Sequence, residues 1–175
     1  MSRTTITYRV GQKPDGSSLL RRVSVSIAAR LAGHSVYTVP NQSMLSTLRL
    51  HDVVQLDESA YVSSAIQRGD VVVYRSLKHD NMLLPGRVVG LPNETLELRN
   101  GALHVNGLEI PEPYVDGDAA EQPHSRVFGE FLVPNGHVFL LGDFRDMSED
   151  SRFIGPIPKD LIVGRITHAA GQREV

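Results

Sequence analysis

The chain has 175 residues, 41% of them apolar, with 18 Lys and Arg against 20 Asp and Glu. That supports one domain with a real core, and the near-balance of charge offers no field to attract nucleic acid. Cysteine is absent, which excludes a disulfide framework, thiolate metal sites and a cysteine nucleophile. The seven histidines contain no i, i+4 pair and no HExxH, so neither a metal nor another cofactor is expected.

In chain order, the first segment, residues 1–34, holds no run near the ~20 apolar residues that span a bilayer, because Arg21, Arg22 and Arg30 interrupt it. Leu19, Leu20, Val23, Ile27 and Leu31 recur at helical spacing, and no acidic residue occurs from Gly16 to His51. This predicts an amphipathic basic helix over 17–33. Its setting stays open between a surface helix packed on the core, a helix lying in a membrane interface and an Arg- and Ser-rich mitochondrial targeting segment.

After Gly33 the chain becomes rich in Val, Ile, Tyr and Thr, punctuated by Gly, Pro, Asn and Asp. That pattern predicts one mainly β domain over 35–175. Candidate strands are Ser35 to Val39, Asp52 to Leu56, Asp70 to Arg75, Arg87 to Gly90, Thr95 to Arg99, Ala102 to Val105, Leu108 to Ile110, His137 to Leu141 and Leu161 to His168. In the run LELR-NG-ALHV-NG-LEI, each Asn-Gly pair tolerates the positive φ angles of a two-residue type I′ turn, so a tight meander is expected over 95–110. The polar stretch from Pro111 to Gly129 reads as a long exposed loop.

Three segments carry the candidate chemistry. The first is VPNQSMLSTL, Val39 to Leu48, where a serine follows a β-run that ends in proline. A strand end leaves backbone N–H groups free to face a substrate carbonyl. The second is GDVVVY, Gly69 to Tyr74, with GRVVGLPNETLEL from Gly86 to Leu98, and the third is VPNGHVFLLGDFRDMSEDSRFIGPIP from Val133 to Pro158.

In this order and spacing, over Val39 to Arg165, the segments resemble the type I signal peptidase family. The resemblance implies a signal-peptidase-type β-barrel of twisted antiparallel sheets behind an N-terminal amphipathic helix. It also implies a serine endopeptidase with a Ser-Lys dyad that removes signal or targeting peptides at the outer face of a membrane. By position, Ser43 matches the nucleophile, Met44 a residue that seats it, and Ser148 a serine that positions the base. Asn41 stands where an oxyanion-hole serine is frequent, and an amide Nδ2 is also a donor. Asp150 and Arg152 match a bracing ion pair, while Phe144 replaces the usual asparagine. The ending GRITHAAGQREV and the SML-TL wording lean toward the mitochondrial inner membrane protease subunits, with a bacterial plasma membrane as the other setting.

Gly86 departs from the pattern, because it occupies the position of the catalytic lysine. A serine hydroxyl needs a base to take its proton, and glycine has none. Arg87 stays protonated at any working pH. The only lysines are Lys13, Lys78 and Lys159, none of them at the right place, and His79 and His104 are the nearest histidines. Two functions therefore stand side by side: a serine endopeptidase whose base comes from a loop or a partner subunit, and a pseudo-peptidase that keeps the groove for recognition or assembly. Expected partners are precursor signal peptides, a membrane surface and, for the base, a partner subunit.

Overall fold

The hydrophobic pattern of residues 71–74 sets the layers of the domain. Val71 and Val73 point into one core with Tyr37, Val39, Met44, Leu48, Val54, Leu56 and Ile166. Val72 and Tyr74 point to the opposite face, into a core with Leu84, Val88, Val138, Leu140 and Ile157. A strand covered on both faces reads as a continuous apolar run, and VVVY is one. The computed structural model describes residues 34–169, so the expected helix over 17–33 lies outside the described residues.

Eleven strands are described: β1 (His34–Thr38), β2 (Val53–Asp57), β3 (Val71–Ser76), β4 (Met82–Gly90), β5 (Thr95–Arg99), β6 (Ala102–Val105), β7 (Leu108–Ile110), β8 (Phe128–Leu132), β9 (His137–Leu141), β10 (Ile157–Pro158) and β11 (Ile162–Ala169). Two one-turn helices, α1 (Pro123–Arg126) and α2 (Ser151–Ile154), lie between them. A seven-stranded sheet runs β1-β2-β11-β3-β4-β9-β10, and a four-stranded sheet runs β7-β6-β5-β8. Every described pairing is antiparallel. No helix among the described residues is long and apolar enough to cross a membrane.

The meander over 95–110 forms with both Asn-Gly turns in the expected hand. Asn100 and Gly101 have φ of 52° and 90°, and Asn106 and Gly107 have 51° and 80°, the type I′ signature. Leu96, Leu98, Leu103 and Val105 then cover Val89, Val133, Phe139 and Leu141 to close a third core.

Three expectations change. β4 starts at Met82 rather than Arg87, so Pro85 and Gly86 lie inside a strand and not before it. The stretch from Pro111 to Gly129 is not a bare exposed loop, since it buries Ala119 and Ser125, forms α1 and begins β8. β8 and the short β10 are strands that the alternation did not announce.

Gly90 is needed where the two sheets meet. A β-carbon there would lie 2.5 Å from Leu96 Cδ2, 2.9 Å from Phe139 Cβ and 3.0 Å from Val133 Cγ2. Gly90→Ala should therefore destabilise the domain by about 1–3 kcal/mol, the cost of overpacking a filled core. Urea denaturation measures it, and an unchanged midpoint would show that the sheet junction relaxes freely.

Candidate active site

The chain from Val39 to Leu48 leaves β1, turns back through bonds from Leu45 N to Gln42 O and from Thr47 N to Met44 O, and enters β2. Met44 at its centre is fully buried in the first core, which anchors the turn. Ser43 sits on this turn with 7% of its surface exposed, and its carbonyl accepts from Phe144 N at 2.9 Å. The nucleophile candidate is thus tied at its backbone to the segment that follows β9.

Gly142 makes that approach physically feasible. A β-carbon at 142 would fall 2.3 Å from Ser148 Oγ and 2.6 Å from the Ser43 carbonyl oxygen, so only glycine lets the two serine-bearing segments close over one another. The sequence reading gave Gly142 no role, although the Gly-Asp pair in its box was the available signal. Asp150 stands behind it: Oδ2 accepts from Gly142 N at 3.0 Å and pairs with Arg152 Nη2 at 2.9 Å, while Oδ1 takes Arg152 Nε at 2.8 Å.

From the sequence, Asn41 is a candidate oxyanion donor together with the Ser43 N–H. In this structure Asn41 Oδ1 accepts from both Ser43 N at 3.1 Å and Ser43 Oγ at 2.8 Å. Flipping the amide would set two N–H donors against each other, so the orientation follows from the bond network. The Ser43 N–H is therefore occupied, and the arrangement differs from the expected oxyanion hole. An amide oxygen also accepts a hydroxyl hydrogen bond without being able to remove the proton.

Gly86 lies on β4 opposite Val72 of β3. Its φ is not among the positive angles, so the backbone does not require glycine there. An added β-carbon would meet Leu140 Cβ at 3.3 Å and Tyr74 Cε1 at 3.7 Å, so a side chain there needs the buried Leu140 to give by a few tenths of an ångström. The position faces a cleft of about 230 Å³ whose walls include Asn41, Ser43, Tyr74, Leu84, Leu140, Ser148 and Asp150. Ser43, Gly86 and Ser148 are thus brought to one cavity.

The neighbouring cations are all engaged elsewhere. Arg87 is buried and forms a bidentate pair with Asp143, Nε to Oδ1 at 2.9 Å and Nη2 to Oδ2 at 2.8 Å. It also donates to Gly69 O at 2.8 Å and lies 3.9 Å from the centre of the Tyr114 ring. Thr47 Oγ1 bonds the same Asp143 carboxylate. Arg145, fully buried, pairs with Glu112 at 2.6 Å and donates to Gly142 O at 3.0 Å. Lys78 pairs with Glu149 at the surface. His79 lies on the cleft wall, 3.1 Å from Glu149 Oε2, whereas His104 lies on β6 near Glu109 and off the cleft wall. Burial, reinforced by the charges of Asp150 and Glu149, pushes the Tyr74 hydroxyl up to about 12, so it stays protonated at neutral pH. Sequence reading passed over Tyr74, Thr47 and Tyr114, since each is an ordinary residue until the fold brings it to the site.

The edge of β4 explains how a proline enters a strand. Val88 directs its N–H and carbonyl toward Asp70 and Gly69 on the β3 side, so by alternation residues 83, 85 and 87 direct theirs to the other side. On that side Arg87 pairs with Leu141 of β9, but residues 82–86 have no strand partner among the described residues. Pro85 therefore lacks an N–H only where no ladder bond is required. The Leu83 carbonyl, on the same edge, accepts from Tyr37 Oη at 3.0 Å.

Comparison with known proteins shows the family to which this chain belongs. The family model described as signal peptidase, peptidase S26, matches residues 17–169, and the chain belongs to that family. It is 31% identical over 144 residues to signal peptidase IB of Staphylococcus aureus strain Mu50, covering 75% of this chain and 74% of the relative. It is 32% identical over 153 residues to signal peptidase I of Bacillus caldolyticus, covering 82% of this chain and 83% of that protein. A crystal structure of a signal peptidase I from Enterococcus faecalis V583 matches with a TM-score of 0.51 at 28% identity, over 59% of this chain and 98% of that one. These relatives are bacterial, and the leaning toward mitochondrial subunits finds no support in them.

Removing one half of the Arg87–Asp143 pair leaves a buried, unpaired charge. Arg87→Met should cost about 3–5 kcal/mol in urea denaturation, and Asp143→Leu added to it should recover part of that loss rather than add to it. Strict additivity of the two would show that the groups act independently.

Proposed function

We propose that this chain is a serine endopeptidase that removes signal or targeting peptides from precursor proteins at the outer face of a bacterial plasma membrane, with Ser43 as nucleophile. The observation that carries the reading is the meeting of Ser43, Ser148 and position 86 on one cleft, under a family match spanning residues 17–169. An extended peptide laid along the free edge of β4 would bring a scissile carbonyl toward Ser43. Residues 17–33, basic and amphipathic, supply the association with the membrane surface. Domain division near residue 34 fits this arrangement, the segment before it serving the membrane and residues 35–175 the chemistry.

In the acylation step Ser43 Oγ attacks the carbonyl carbon while a base takes its proton. Asn41 holds the hydroxyl at rest, and rotation of its amide away from Ser43 frees the Ser43 N–H for the oxyanion. Ser148 positions the base, and Met44, Asp150 and Arg152 hold the surrounding backbone. Position 86 provides no base. A second reading follows from that observation: a pseudo-peptidase that binds peptides in the same cleft without turnover.

Loss of the general base of a serine hydrolase costs on the order of a millionfold in turnover, so the native chain alone should cleave very slowly. On a signal-peptide substrate, Gly86→Lys should raise kcat/KM by about a thousandfold or more, and Ser43→Ala should silence both forms. Cleavage by Gly86→Lys with none from the native chain would favour the pseudo-peptidase. Cleavage that survives Ser43→Ala would remove Ser43 from the nucleophile role.

A further inference from the structure

Two segments distant in the chain meet at the cleft. Residues 77–81 link β3 to β4, and residues 142–150 follow β9. They touch where Glu149 accepts from Lys78 Nζ through Oε1 and lies, through Oε2, 3.1 Å from His79 Nε2. Among the described residues no Lys or Arg lines the cleft, whereas Glu149 and Asp150 do. The two carboxylates are not equally available. Asp150 is 5% exposed and is filled by Arg152 and Gly142 N. The Glu149 side chain is 47% exposed, so it is the carboxylate that a molecule in the cleft can reach.

Its surroundings define the group it takes. Met82 and Met147, both exposed, line the same cleft and offer unbranched apolar surface to a long stem. Lys78, which is not among the cleft walls, reaches Glu149 from outside them, so a cation on a long stem already sits on the carboxylate. An ion pair this exposed contributes little, and a second cation can displace it. The contact with Lys78 foremost, and His79 after it, holds the Glu149 carboxyl below the usual carboxylate range, so it is ionised at neutral pH.

We propose that Glu149 is a specificity-determining residue that selects an arginine in the peptide occupying the cleft, the stem lying against Met82 and Met147 and the guanidinium replacing Lys78 on the carboxylate. The planar fork of arginine presents two parallel donors to a carboxylate, which an ammonium does not, so arginine outcompetes Lys78. The guanidinium stays protonated and takes no part in proton transfer at Ser43. The proposal rests on the reading of the cleft as a peptide site and holds whether or not the bound peptide is cleaved.

The test uses the full chain and dye-labelled short peptides of small and apolar residues, in which arginine, its neutral isostere citrulline or glutamate is placed at each position in turn. Fluorescence anisotropy gives the Kd of each. At one position arginine should bind about three- to tenfold tighter than citrulline, and glutamate more weakly than either. Glu149→Gln, an exposed change that keeps the side-chain shape, should erase the difference, and Lys78→Ala should widen it about twofold by removing the competitor. Arginine equal to citrulline at every position, an advantage spread evenly over all positions, or one that survives Glu149→Gln or narrows with Lys78→Ala overturns the assignment, while binding of the peptides leaves the peptide site standing. If no peptide binds, the reading of the cleft as a peptide site falls and the role of Glu149 falls with it, so the two failures are distinct.

Discussion

The buried pair of Arg87 and Asp143 is the constraint on which the site depends. It ties β4, one residue after Gly86, to the end of β9, one residue after Gly142. Through Thr47 it reaches the turn that carries Ser43, and through the Gly69 carbonyl it reaches the entrance to β3. Burying two charges costs several kcal/mol apiece before their attraction is counted, so such a pair contributes little net stability. What it does here is fix the register of four segments. The same engagement removes Arg87 from any proton-transfer role.

A second polar frame repeats the arrangement on the other wall. Asp150 holds Gly142 N, Arg152 binds both oxygens of Asp150, and Arg152 also reaches the carbonyls of His124 and Arg145. Gly142 lies between the two frames, where its missing side chain allows Ser43 and Ser148 to approach. The cleft is therefore preorganised in its backbone. Its electrostatics are preorganised as well, since the charged groups around it are paired. Among the described residues no base is hydrogen-bonded to Ser43 Oγ, whose proton is directed at an amide oxygen.

Much of the fold was legible because local rules and tertiary structure agree. β5, β6, β7 and β9 begin and end where alternation and the Asn-Gly turns place them. The start of β4 was not legible, because Pro85-Gly86 reads as a break unless the free edge beside it is known. β8 was hidden for a similar reason, since FGEFL has a glycine as its second residue and gains its place by pairing with β5. At the site, Ser43, Gly86, Ser148, Asp150 and Arg152 could be named from the resemblance of their motifs to the signal peptidase family. The direction of the Asn41 amide could not, because it depends on a competition for one backbone N–H. Nor could the contributions of Gly142, Thr47, Tyr74 and Tyr114, which depend on approaches between residues far apart in sequence.

The central proposal is Ser43 as a nucleophile whose hydroxyl, among the described residues, is hydrogen-bonded to no base. The pH dependence of Ser43 acylation by a small active ester, followed by mass spectrometry from pH 6 to about 9, tests it most directly. Without a resident base the rate should climb about tenfold per pH unit across the whole range, because hydroxide alone removes the proton. A plateau with a defined midpoint would reveal a titrating base in the protein and contradict the claim.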